Sequence, residues 1–127
     1  MTILLSFFVL LLSLLPSFLL APSYSLQAKS RDNERRQDID TIYTQLEQHY
    51  VINYEYPTQK EVEIEYDLQL PALDAETLKD PRGFMINDPA GSYVYIPEDC
   101  TAIGCKSFRV IARLENDTTY EKSSIHE

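Results

Sequence analysis

Asp38-Ile39-Asp40-Thr41-Ile42-Tyr43-Thr44-Gln45-Leu46-Glu47-Gln48-His49-Tyr50 carries apolar side chains at Ile39, Ile42, Tyr43, Leu46 and Tyr50. Steps of three and four residues trace one stripe of an α-helix, and a stripe of that width needs a second layer to cover it. Ile39, Ile42, Leu46 and Tyr50 are therefore the expected helix-side core. Upstream, Lys29 to Asp38 is polar all round, with Lys29, Arg31, Arg35 and Arg36 interspersed with Asp32 and Glu34. That stretch is expected to be a helical stalk standing in water or against other subunits, with an i,i+4 pair between Asp32 and Arg36.

Further upstream the character changes abruptly. From Met1 to Ala28 the chain has no charged side chain. At about 1.5 Å of rise per residue, the apolar run centred on Ile3 to Ala21 matches the hydrocarbon thickness of a bilayer. A retained transmembrane or assembly helix over 1–28 is one reading, with Pro16 and Pro22 tending to kink it. A secretory signal peptide cleaved near Ser23-Tyr24-Ser25 is the other. The run exceeds the usual signal core of about 7 to 15 residues, and only Met1-Thr2 precedes it, which favours retention. The cations after the run point the opposite way from an exported domain under the positive-inside rule.

Downstream, the residue before Pro57 is pushed out of helical geometry, so Tyr54-Glu55-Tyr56-Pro57-Thr58 should stop the helix. Val62, Ile64, Tyr66, Leu68 and Leu70 then alternate with Glu61, Glu63, Glu65, Asp67 and Gln69. This period of two predicts a strand whose apolar face covers the helix and whose acidic face meets water. Leu73 to Leu78 reads as a short helical turn capped by Asp74, and Asp80-Pro81-Arg82-Gly83 as a turn. Tyr93 to Ile96 and Phe108 to Leu114 are β-branched and aromatic runs that predict an antiparallel pair. Glu115-Asn116-Asp117 turns the chain into a short strand around Thr118 to Glu121, and Ser123 to Glu127 should fray.

Composition excludes several functions. A chain of 127 residues with a formal charge of -9 has room for one small domain beyond the apolar run, and its acidic body repels nucleic acid. Cys100 and Cys105 are the only cysteines. No nearby histidine completes a zinc site, so a small loop-closing disulfide is expected in an oxidising compartment, and two free thiols otherwise. Same-face carboxylates on a strand lie about 7 Å apart, too far to converge on calcium, so no metal is assigned to Glu61, Glu63, Glu65 and Asp67. His49 on the stalk and His126 in the tail do not form a nucleophile–base pair with any serine or cysteine. Asn116-Asp117-Thr118 fits a glycosylation pattern common by chance and receives no role. No enzyme, cofactor or small-molecule substrate is expected.

Ala21-Pro22-Ser23-Tyr24, the run Gln27 to Ile39, Tyr56-Pro57-Thr58, Leu73 to Pro81, Tyr93-Val94-Tyr95, the Cys100 to Cys105 loop and Ala112-Arg113-Leu114-Glu115 stand in a recognisable order. Together they resemble bacterial type IV pilin-like proteins and pseudopilins. The resemblance implies an α+β fold in which a long N-terminal helix, half apolar and half amphipathic, packs on a small antiparallel β-sheet. It also implies a structural subunit, shaft or minor, of a type IV pilus or type II secretion filament. Leu5, Phe8, Leu12, Pro16, Leu19 and Pro22 would lie on the assembly helix, first in the membrane and then against other pilin-like subunits. The domain would be extracytoplasmic and single-pass anchored, then displayed in a surface filament. The sequence opens Met1-Thr2-Ile3-Leu4-Leu5 where the family has a charged leader, a cleavage glycine and then a glutamate, Leu5 standing at the glutamate's place, so either the start of the chain is misassigned or trimmed or the subunit is an atypical one that skips leader processing. On this reading the chain divides into the assembly helix at 1–28, the stalk at 29–56 and a β-rich domain with a disulfide loop at 57–127. The competing function is a secreted or anchored binding module whose acidic strand meets a basic partner.

Overall fold

A computed structural model describes the backbone of residues 2–127 and the side chains from residue 26 onward. The expected assembly positions Leu5, Phe8, Leu12, Pro16, Leu19 and Pro22 lie outside the described side chains. Among the described residues no helix is long and apolar enough to cross a membrane. The chain forms two compact units, Met1–Arg31 and Asp32–Glu127. Helix α1 (Thr2–Asn53) is followed by two short helices, α2 (Gln59–Glu63) and α3 (Tyr66–Gln69), and a 3₁₀ turn at Ala75–Leu78. Strands β1 (Tyr93–Cys100), β2 (Cys105–Arg113) and β3 (Thr119–Ser123) complete the second unit as one antiparallel sheet in the order β1-β2-β3. The architecture is α+β, a long helix packed on a three-stranded sheet.

The apolar stripe of α1 forms the helix side of the core. Ile39, Ile42 and Leu46 are fully buried with Tyr93 and Tyr95 of β1 and Phe108, Val110 and Ala112 of β2, while Tyr50 is half-buried at the margin. Tyr56 packs edge-on against Phe108 with ring centroids 4.8 Å apart, and Tyr50 lies 4.7 Å from Tyr56. Aromatic side chains thus bridge helix and sheet at the end where α1 stops. There Tyr54 turns to φ 60° and its N–H bonds the Tyr50 carbonyl, after which Tyr56 pairs with Cys105. Cys100 and Cys105 form a disulfide across the β1–β2 turn.

Residues 61–70 depart from the expected strand. Pro57 and Thr58 start a helix instead: Thr58 Oγ1 accepts from the Glu61 N–H, and the Glu61 carboxylate accepts from the Thr58 N–H at 2.6 Å. This reciprocal capping box satisfies two backbone donors that a helix start would leave unpaired. The alternating apolar set also contains a period of four, Val62, Tyr66 and Leu70. That subset faces the core, whereas Ile64 and Leu68 are 66% and 76% exposed. Residues 61–70 form no acidic strand face, and its members are dispersed: Glu61 caps α2, Glu63 accepts from Gln59 and Asn87, and Glu65 pairs with Lys60. Leu68→Lys should change stability by no more than about 0.5 kcal/mol, whereas Leu70→Ala should cost about 2 to 5 kcal/mol. Urea melts giving similar losses for both would restore the strand.

The tail is pinned as well. The Ser124 N–H bonds the Phe108 carbonyl, the Ile125 N–H bonds Glu47, and the His126 ring stacks on Tyr50 at 4.1 Å. Residues 124–126 make these contacts because β3 ends beside the aromatic cluster that closes the helix end. The turns follow expectation: Asp74 caps the 3₁₀ turn through the Glu76 N–H, and the Gly83 N–H bonds the Asp80 carbonyl with Gly83 at φ 89°.

Candidate functional site

The polar residues of α1, not its apolar stripe, distinguish this unit. The stretch expected to stand in water is drawn into the domain from Asp32 onward. Arg35 is 2% exposed; its Nη1 donates to Asp32 at 2.9 Å and to Glu115 at 3.3 Å, and its Nε to Ser92 Oγ at 3.3 Å. Asp32 also accepts from the Glu115 N–H at 3.0 Å. The expected Asp32–Arg36 pair therefore gives way to Asp32–Arg35, and Arg36 donates to Asn33 instead. A surface pair is worth a few tenths of a kcal/mol, whereas a buried charge without its partner is severely costly, so the burial selects the pairing.

Further along α1, carboxylates accept from tyrosine hydroxyls that the domain presents. Asp38 accepts from Tyr93 at 2.6 Å, Asp40 from Tyr120 at 2.7 Å and Glu47 from Tyr56 at 3.0 Å. These tyrosines sit on β1, β3 and the helix stop, so each clasp ties α1 to a different part of the domain. The apolar stripe supplies burial, and the clasps flank it and set the helix's rotation. Sequence reading named no residue of this seam as a site. Its signal was the set of acids flanking the stripe at Asp38, Asp40 and Glu47, which look like ordinary solvated positions until their partners are known.

Asp80 anchors the same end of the domain. It is 4% exposed, with Oδ1 accepting from the Arg82 and Phe84 N–H groups and Oδ2 from the N–H and Oγ of Ser92. Burial pushes its carboxyl upward, but the Phe84 and Ser92 hydrogen bonds outweigh that and hold it below its ordinary value. Ser92 Oγ accepts in turn from Arg35, so the Asp80 turn and the Arg35 network form one polar chain. Asn87 performs a similar task along β1: at φ 66° it accepts from the Tyr95 N–H and donates to Glu63.

Asp38 has the opposite electrostatics. Burial raises its carboxyl to about 6, against the lowering effect of the Tyr93 hydrogen bond, and the Glu34 charge raises it further. The folded state thus binds its proton more tightly than the unfolded chain, so stability should rise as pH falls from about 6 toward 3.8. Asp38→Asn keeps an acceptor for Tyr93 and removes the half-buried charge. It should stabilise the domain at pH 7 and flatten its melting temperature between pH 4 and 6. A wild-type melting temperature that climbs with pH across that window would contradict the assignment.

No protein-family model, no curated protein and no solved structure matches the chain.

The chemistry of the site is therefore read from its residues. Both histidines are engaged structurally: His49 is hydrogen-bonded to the Glu55 carbonyl at 2.8 Å and Gln69 at 3.2 Å, and His126 stacks on Tyr50. Among the described residues no three His, Cys, Asp or Glu side chains are grouped to hold a metal ion. What the arrangement does is fix one helix to a small domain at several points along its length.

Proposed function

We propose that this protein is a structural subunit, pilin or pseudopilin in kind, of a type IV pilus or related secretion filament, and that it acts without catalysis. The observation that carries the reading is α1 itself, one helix of 52 residues whose later half is clasped to the domain and whose earlier sequence is uncharged through Ala28. Such a subunit exchanges lipid contacts for helix contacts on assembly, so the force on the helix must pass into the domain. The stripe and the tyrosine–carboxylate clasps supply that rigid joint. The Cys100–Cys105 disulfide supports an extracytoplasmic domain, since such bonds persist in oxidising compartments. The binding-module alternative loses its motif, because the acidic strand it needs is a pair of short helices.

The test is the mature chain in membranes. Intact mass after thiol alkylation, with and without reduction, should show a retained residue 1–28 segment and two cysteines blocked until reduction. Chemical cross-linking of the same membranes should give ladders of the chain. Cleavage near Ser25 with release of a soluble domain would overturn the filament reading.

A further inference from the structure

The polar chain through Arg35 borders an open cleft of about 240 Å³ at the end of the domain where Asp32 lies. Arg35, Arg82 and Arg113 line it together with Glu115 and Asp117, and Glu115 pairs with Arg35 at 3.3 Å and with Arg82 at 3.5 Å. The lining thus carries three arginines against two acids, in a chain of net charge -9.

Arg35 is a built wall and not a mobile surface side chain. Asp80 holds Ser92, Ser92 Oγ accepts from Arg35 Nε, and Asp32 and Glu115 accept from Arg35 Nη1. Five N–H donors belong to a guanidinium, and these bonds leave its Nη2 with no acceptor among the described residues. The side chain is 2% exposed and lines the cleft, so those remaining donors have only the cleft to face. Arg113 also lines the cleft, without an acidic partner among the described residues. Arg82 reaches Glu115 at 3.5 Å and is 60% exposed, so it is free to swing inward.

We propose that this cleft is a binding site for a phosphate group, with Arg35 as its fixed donor and Arg82 and Arg113 as closing arms. Planar guanidinium forks match a tetrahedral oxyanion with paired donors, which a single lysine does not. At about 30 Å³ per water, the space accommodates a phosphate and part of its hydration shell. The acidic remainder of the domain repels anions, so binding should be confined to this point. Two sources present that chemistry: free phosphate and the headgroup of a phospholipid. In sequence, Ala28, where the uncharged run ends, precedes Asp32 by one helical turn. If the filament reading holds, a headgroup is within reach before assembly; the headgroup source rests on that reading, and the cleft chemistry does not.

The full chain in an uncharged detergent should be titrated with inorganic phosphate against chloride at matched ionic strength, following arginine Nε–H resonances and the melting temperature. A saturable phosphate response in the millimolar range is expected, weakened at least fivefold in Arg82→Gln/Arg113→Gln. Arg109→Gln, outside the cleft, should leave it unchanged. An unchanged melting temperature without phosphate shows that the double variant is folded. A response that chloride reproduces, or one the double variant retains, overturns the proposal. Reconstitution in phosphatidylglycerol vesicles and in phosphate-free galactolipid vesicles then separates the sources. Loss of the phosphate response only in phosphatidylglycerol assigns the headgroup; its persistence in both assigns free phosphate. Failure to insert in either would count against the filament reading and leave the detergent titration to judge the cleft.

Discussion

Asp80→Ala is expected to lower the melting temperature of the domain by about 15 to 30 °C, a loss of about 3 to 5 kcal/mol. The carboxylate accepts four hydrogen bonds, from the N–H groups of Arg82, Phe84 and Ser92 and from Ser92 Oγ. Its removal leaves backbone donors in a closed turn without acceptors, at about 1 to 3 kcal/mol for each one that stays buried, less whatever water recovers. Against a typical total of about 5 to 15 kcal/mol, the variant should be marginally folded. The pH dependence has a definite sign. Because the folded carboxyl is held below its ordinary value, its contribution is complete above the unfolded pKa of about 3.9 and is lost as pH falls through the folded value. Wild type should therefore lose this contribution only below about pH 4, and Asp80→Ala should lack that acid limb. A calorimetric loss under about 1 kcal/mol at pH 7 would show that the turn closes without the carboxylate.

Arg35→Met should cost a similar amount, about 3 to 5 kcal/mol, since it leaves Asp32 in the seam without the arginine it pairs with and takes away one of the cations around Glu115, which keeps Arg82. The lost quantity is mostly the penalty of the Asp32 charge left in the seam and not the worth of the pair. Adding Asp32→Asn should therefore recover part of the loss, as Asn keeps an acceptor for the Glu115 N–H and discards the charge. A double-mutant cycle in urea should give a coupling of about 1 to 3 kcal/mol between the two positions. Strictly additive losses would mean that solvent screens the network and that the helix is held by its stripe alone.

These two sites also mark where sequence reading ran out. Ile39, Ile42 and Leu46 were legible because one stripe at helical spacing admits one buried face. Tyr93 to Ile96 and Phe108 to Leu114 were legible because β-branched and aromatic runs on either side of a short loop pair locally. Residues 61–70 misled because their apolar positions satisfy a period of two and, in Val62, Tyr66 and Leu70, a period of four. The Thr58–Glu61 capping box decided between them, a local signal that the longer alternation outweighed. Arg35 and Asp80 were visible only as a helix-surface cation and a turn residue, for a pairing across a fold leaves no periodicity in the chain.

The sequence by itself determined the long helix, its core-facing stripe, the antiparallel hairpin, the capped turns and the excess of acid, all of which follow from spacing and backbone preference among near neighbours. Only the tertiary structure decided which charges leave water. Asp38 and Glu47 become clasps, Asp32 accepts from the Glu115 N–H, and Arg35 becomes the wall of a cleft, because burial makes an unpaired charge cost several kcal/mol and so fixes partners that stand far apart in the chain.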